Sequence, residues 1–360
     1  MCEDEAPDTR ECRLPGRRAT GSRLLSATIT RDPDSLLLVG KGDRASEQPR
    51  GVGLRGQTVP SEIRQGRRVV RLSNLDKPYW PEEGITKGDL LRYYRDVAAV
   101  LLPHIRDRPF TMKRYPDGWQ GRPFFRKDVT NYAPAWVKRV AVRVTSRGSL
   151  RTIEAPVVND ELSLLWMVNT GCIECHTWYS RLDRLERPDR VVFDLDPSDD
   201  VGFAETVEVA LLVKQALDTL GLASYPKTSG AHGLHVLVPI VRAHTYEATR
   251  RFASEVARAI AGAHADVATT EWSKAKRRGV LIDASQNAQG KTIASVYSVR
   301  PTPAATVSTP LTWDEVNEKL DPAVYTMQAV LDRLDRHGDL HEGALKTKQR
   351  LGPALRALES

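Results

Sequence analysis

The sequence predicts an α+β protein whose sheet is largely antiparallel, and three observations carry that expectation. Short strands dominate the first half of the chain, whereas the second half alternates apolar strands with longer amphipathic helices. Two of those later strands end in carboxylates where an apolar run would ordinarily continue. A regular pattern begins near Arg67: Val69, Val70 and Leu72 read as a strand entering the loop Asn74-Leu75-Asp76-Lys77-Pro78. Thr86 caps a helix predicted to reach about Leu102, its apolar stripe being Leu90, Leu91, Tyr94, Val97, Ala98 and Leu101. Short strands follow over 110–114, 124–127, 137–144 and 152–158, then a helix over 160–170 with Asn159 as N-cap and Gly171 just past its end. Beyond it come strand 190–195, helix 203–220, strand 223–227, a glycine loop, strand 234–240, helix 245–262, strand 279–283 and a strand near 293–297. Helices near 312–319 and 322–336 close the pattern, and the last dozen residues read as helical or frayed. No internal repeat is present.

At 360 residues and 41% hydrophobic content the chain can bury a substantial core. Residues 1–65 mix Arg, Asp, Gly, Pro and Ser without sustained period and are expected to be a disordered leader, with Ser35–Val39 as its only candidate strand. The domain is expected over 66–345, with a helical or loose tail over 346–360. No apolar run approaches the ~20 residues of a membrane span. The start, Met1-Cys2-Glu3-Asp4-Glu5, is acidic and not followed by an apolar stretch. A cytoplasmic, nucleoid-associated monomer is the expectation. The net charge of +7 fits an anionic partner, nucleic acid ahead of membrane, or simply an Arg-rich solvated surface.

Cys172-Ile173-Glu174-Cys175-His176 spells the pattern of haem attachment, but that chemistry needs export, and a single C-x-x-C supplies half a zinc site. Buried unreactive thiols are the preferred reading.

The strand Val191-Val192-Phe193-Asp194-Leu195-Asp196 carries the most informative chemistry. A strand has a side-chain period of two, so Asp194 and Asp196 share one face while Leu195 packs behind. Paired carboxylates beside apolar residues are costly unless a cation neutralises them. Oxygen ligands suit Mg²⁺ or Mn²⁺, and two such ions ~4 Å apart form a phosphoryl-transfer clamp. The plain alternative is a strand breaking into the polar turn Pro197-Ser198-Asp199-Asp200. A haloacid-dehalogenase-like phosphatase also begins this way, but Pro197 stands where it needs Thr or Val. Residues 225–238 read as strand, small-residue turn and strand. In the turn Ser229-Gly230-Ala231-His232-Gly233, two glycines let backbone N–H groups approach phosphate, with Lys227, Ser229, His232 and His235 as nearby donors. Asp283, ending Gly279-Val280-Leu281-Ile282, is an ordinary turn residue alone and a third metal ligand beside the other motifs.

Taken in order, these motifs resemble the polymerase domain of bacterial ligase D, in the archaeo-eukaryotic primase superfamily. The resemblance runs from about Val69 to Trp313 through Ser73–Pro78, Lys113–Gly118, Phe124–Lys127, Ala133–Trp136 and Glu174–Trp178. It continues through Asp194/Asp196, Ser229-Gly230, Asp283, Tyr297–Arg300 and Val307–Trp313. The resemblance implies a primase-polymerase-like core and two-ion catalysis with Mn²⁺ favoured over Mg²⁺. Asp194, Asp196 and Asp283 would hold the ions. Lys113, His176, Ser229, His232 and Arg300 would contact the incoming nucleotide, an NTP or dNTP with ribonucleotides favoured. It also implies that Lys77 and Lys87 grip a DNA 5′-phosphate across a gap or break, and that Phe124 and Phe125 meet the template. Ordinary core is the alternative for the phenylalanines and a surface helix start for Lys87.

Two departures stand out. His232 occupies the loop position where the family usually carries lysine, and either Lys276 or Arg277 matches a basic residue near Asp283. No Lys-x-Asp-Gly ligase motif occurs, so a stand-alone polymerase working with a separate DNA ligase and the end-binding protein Ku is expected. The activity implied is gap filling or end remodelling in DNA repair, with non-homologous end joining as its setting. A non-catalytic DNA-end-binding module and a primase that starts strands de novo are the alternatives.

Overall fold

A computed structural model of the chain describes residues 59–146 and 149–358. The candidate strand at 35–39 and most of the expected leader lie outside these residues. The first described strand, Glu62–Gln65, pairs antiparallel with Arg68–Arg71, so ordered structure begins before residue 66.

Two sheets organise everything that follows. Five strands lie in the order Tyr225–Thr228, Leu234–Pro239, Arg190–Pro197, Val280–Asp283 and Ala268–Thr269, antiparallel except for the last pair. Val191, Phe193 and Leu195 turn to one face, where they meet helices Phe203–Thr219 and Tyr246–Ala263 in a buried core. The alternate residues, Asp194 and Asp196, therefore occupy the face those helices leave uncovered.

The second sheet has four strands, in the order Ile293–Ala294, Cys172–Thr177, Phe110–Arg114 and Phe124–Arg126, all antiparallel. It packs with helices Lys87–Asp96, Ala98–Ile105 and Glu161–Asn169 around a second core that includes Trp80, Leu90, Leu91, Tyr94, Leu101, Leu165 and Ile173. Separate hairpins, 78–86 and 139–156, complete the described strands. The antiparallel, mixed α/β architecture matches the expectation.

Several elements differ from the sequence reading, each for a local reason. The helix expected over 86–102 is two helices, separated where Val97 (φ −88°, ψ −2°) closes a tight turn. Thr86 caps the first as expected, accepting from Asp89 N while the Asp89 carboxylate accepts from Thr86 N. The cap of helix 161–169 is Asp160, whose Oδ1 accepts from Ser163 N at 2.8 Å. Asn159 is instead drawn off to Asp107, accepting from its backbone N–H and donating to its carboxylate. Gly171 follows that helix at φ +91°, the left-handed conformation expected of it. The helix expected at 312–319 is one 3₁₀ turn, Trp313–Glu315, and the last helix of the expected pair is confined to Met327–His337. Strand Cys172–Thr177 escaped the sequence reading because five of its six residues are buried on both faces, which hides the alternation.

Candidate active site

Antiparallel register decides which side chains meet. In the five-stranded sheet Lys227 lies opposite His235, His235 opposite Asp194, and Asp194 opposite Asp283, a row of four ionisable residues on one face. All four are buried. Lys227 Nζ is 2.6 Å from His235 Nδ1, and His235 Nε2 is 3.1 Å from Asp194 Oδ1. Asp196, two residues along the same strand and face, is exposed. Burial, then the charge of Asp283, pushes the Asp194 carboxyl up to about 6.

A buried anionic pair of this kind is stabilised by an added cation, and an all-oxygen donor set suits Mn²⁺ or Mg²⁺. Among the described residues no three ligating side chains already converge on one point. The residues fit a cation. Arg277 is buried and its charge acts on Asp196, whereas Lys276 is exposed; the basic neighbour of the carboxylates is therefore Arg277.

The four-stranded sheet carries a second row. Glu174 lies opposite Lys113, and Lys113 opposite Phe125; His176 is two residues beyond Glu174 on the same face. Glu174 is 1% exposed and accepts from Lys113 Nζ at 3.1 Å and Tyr115 Oη at 3.2 Å, with His176 Nε2 at 2.8 Å and Arg300 Nε at 3.5 Å. Burial would raise its pKa, but the His176 hydrogen bond and the charges of Arg300 and Lys113 outweigh that and hold it at about 2. Phe124 and Phe125 are 40% and 58% exposed, so the ordinary-core reading of this pair is wrong. Phe125 stands edge-on to His176, with ring centroids 6.3 Å apart, and Arg114 lies over Phe124.

The glycine loop joins the two rows. Ser229 Oγ accepts from Ala231 N and Gly233 N, and Ser229 O accepts from the Arg300 guanidinium. A Cβ on Gly233 would lie 2.1 Å from Leu195 O, so only glycine lets the loop approach the carboxylate strand this closely. Gly230, at φ +74°, is also confined, since a Cβ there would lie 2.6 Å from Ser308 N and 2.7 Å from Arg300 Cγ. His232 is exposed at the loop tip and, among the described residues, takes no part in the hydrogen bonds that close the loop.

Lys77 and Lys87 form a third group. Lys87 is buried, donating to Ser73 O at 2.6 Å and Asn169 Oδ1 at 2.9 Å, and is therefore no ordinary surface lysine. Burial, then the charges of Lys77 and Arg114, lowers its pKa to about 8. Lys77 donates to Pro116 O and Asp117. Cys172 and Cys175 are buried free thiols within the sheet. The sequence reading left Glu174, Tyr115 and Asn169 out of the site and counted Lys227 only as a donor beside the glycine loop. Glu174 carried a signal in its i+2 spacing to His176; the other three meet their partners only through tertiary pairing.

A family model for the LigD primase-polymerase domain matches residues 86–341. The chain belongs to this family. It is 36% identical over 276 residues to the multifunctional non-homologous end joining protein LigD of Mycolicibacterium smegmatis, covering 75% of this chain and 35% of that protein. It is 35% identical over 286 residues to the bifunctional non-homologous end joining protein LigD of Bacillus subtilis, covering 78% and 45%. The chain thus spans less than half the length of these relatives. A solved structure, the polymerase domain from Mycobacterium tuberculosis ligase D in complex with DNA, superposes with a TM-score of 0.69 at 35% identity, covering 77% of this chain and 98% of that one. The expected family and fold are both found. Among the described residues no helix of this LigD primase-polymerase domain is long and apolar enough to cross a membrane.

Proposed function

We propose that this chain is a metal-dependent, DNA-directed nucleotidyltransferase that adds nucleotides, ribonucleotides in preference, to primer ends at gaps or breaks in DNA. The observation that carries the reading is the pairing of Asp194 against Asp283 within reach of the charge of Arg300, which gathers with Lys113 and His176 on Glu174. Anionic and cationic halves so juxtaposed suit a reaction whose substrate is a polyanion and whose reacting oxygens need a cation.

Asp194, Asp196 and Asp283 would hold two divalent ions, Mn²⁺ in preference to Mg²⁺, which neutralise developing charge on the transferring phosphoryl group. The chain's own residues do the rest. Lys113 and Arg300 attract the triphosphate, trading part of their hold on Glu174 for phosphate oxygens. Neutral His176 presents a ring N–H rather than a third full charge, since burial, opposed by Glu174, lowers its pKa. The glycine loop sets Ser229 beside Arg300. Phe125 offers an exposed ring for stacking by a template base. Lys77 and Lys87 would take a 5′-phosphate on the far side of a gap, where Lys87 exchanges its carbonyl and amide partners for phosphate. Repair by end joining with Ku and a separate ligase is the setting these preferences suit.

Primer extension on blunt, gapped and unprimed DNA, with NTPs or dNTPs under Mn²⁺ or Mg²⁺, tests the reading. Extension of gapped primers with Mn²⁺ is the expected result, and products on unprimed template would reassign the protein to de novo priming. Asp194→Asn should cut extension at least about a thousandfold, the effect of losing several kcal/mol of transition-state stabilisation, while leaving DNA affinity within about twofold. Normal extension by this variant removes the catalytic assignment.

A further inference from the structure

Of the buried row, Lys227 and His235 take no part in the proposed metal and nucleotide assignments, and Lys227 is the more deeply buried of the two. It is 1% exposed, yet carries an amine into the middle of the protein, which is costly without a purpose for its hydrogen bonds. Those bonds are specific. Nζ donates to Ser308 Oγ, and Ser308 Oγ itself donates to Thr228 O. Its other partner is His235 Nδ1 at 2.6 Å, and the far side of that ring, Nε2, faces Asp194 Oδ1 at 3.1 Å.

The direction of this chain follows from its last member. Asp194 Oδ1 lies 3.1 Å from Nε2 and, when ionised, can only accept, which favours the ring proton of His235 on Nε2. Nδ1 is then a bare lone pair, and the group facing it must donate; Lys227 does. Register explains why the three meet: Lys227, His235 and Asp194 are cross-strand partners on adjacent strands, so the sheet itself fixes their spacing.

We propose that Lys227 is a positioning residue, locking His235 in its Nε2–H tautomer so that the ring holds Asp194 in one orientation for the metal. The inference rests on the reading of Asp194 as a metal ligand. Partners behind a ligand commonly matter 10- to 100-fold in metal affinity because they set the ligand's orientation and basicity.

Lys227→Met keeps most of the side chain's length and removes the donor, whereas Lys227→Gln, of the same reach as Met, retains an N–H donor without the amine. Mn²⁺ binding, read by electron paramagnetic resonance in the absence of nucleotide and DNA, should weaken about tenfold in Lys227→Met. Lys227→Gln should recover to within about threefold of the wild type. In primer extension, kcat of Lys227→Met should fall while KM for the nucleotide stays within about twofold, since Lys227 touches no predicted nucleotide contact. The tautomer is read directly in the unmutated, metal-free protein from the imidazole ¹⁵N shifts, with His235 assigned by the signal lost in His235→Gln. An Nε2–H tautomer is expected. An Nδ1–H tautomer overturns the proposal even if both variants fail to fold, and so does Mn²⁺ affinity in folded Lys227→Met equal to wild type. Equal losses in Lys227→Met and folded Lys227→Gln also overturn it, because the donor would then be irrelevant. A wild type that binds Mn²⁺ and has the expected tautomer but extends no primer sinks the polymerase reading and leaves this one standing.

Discussion

Asp194 in the five-stranded sheet and Glu174 in the four-stranded sheet are both buried carboxylates in cross-strand rows, yet their environments have opposite effects. Burial and the facing Asp283 push Asp194 up to about 6. Glu174, also buried, is held at about 2 because His176, Arg300 and Lys113 surround it. The first site has more negative charge than its neighbours can offset and gains from a cation. The second is already neutralised and keeps surplus positive charge, so it gains from an anion. The proposed function assigns the first to metal and the second to phosphate, and the Ser229–Arg300 hydrogen bond of the glycine loop links the two rows.

Removing the counter-ion of the cationic half should have the largest effect on stability. Glu174→Gln leaves Lys113 and Arg300 facing a neutral amide, and breaking a buried pair costs about 3–5 kcal/mol. The melting temperature should fall by roughly 10 °C, and added nucleoside triphosphate should stabilise the variant more than the wild type in scanning fluorimetry. An unchanged melting temperature breaks the comparison. The depressed pKa also fixes a direction with pH. The contribution of Glu174 is fully present above its unfolded value near 4.5 and is lost as pH falls toward about 2.

Phe125→Ala tests whether the end of the cationic row reads template. Base stacking is worth ~1–3 kcal/mol, so affinity for DNA with a single-stranded overhang should drop about tenfold in fluorescence anisotropy. Affinity for fully paired DNA should not change, and an equal drop for both would make Phe125 a general DNA contact.

Lys87→Ala should reduce the preference for 5′-phosphorylated over 5′-hydroxyl gapped DNA about tenfold, the scale of one charge-assisted hydrogen bond. The wild-type preference should be strong below pH 8 and fade above it, because Lys87 loses its proton near pH 8 in the free protein. A preference that stays flat from pH 7 to 9.5 assigns the phosphate to Lys77 alone.

The smallest effect belongs to His232→Lys. An ammonium at the exposed loop tip adds a screened attraction of under ~1 kcal/mol, so KM for the nucleotide should fall about two- to fivefold and the change should disappear at high salt. A larger, salt-resistant gain would mean that the loop closes over the nucleotide.

How far the sequence could be read depended on the range of the interaction. Asp194 and Asp196 were legible because strand period alone puts them on one face, and Thr86 was legible as a cap because its partner Asp89 is three residues away. Asn159 and Asp160 were not separable, since the contact that claims Asn159 comes from Asp107, fifty-two residues distant. Lys276 and Arg277 were indistinguishable by spacing; only burial selects Arg277. Glu174 looked like part of a cysteine motif until Lys113 and Arg300 were brought against it.

By itself, then, the sequence determined the antiparallel α+β class, the family, and the carboxylates at the strand ends, because periodicity and ordered local motifs need no partner to be recognised. Only the tertiary structure set Asp194 against Asp283, lined Lys227 and His235 up behind it, and gathered three scattered residues, Lys113, His176 and Arg300, on Glu174. Those meetings are fixed by strand register and by burial, which raise or lower each group's charge preference through neighbours far away in the chain.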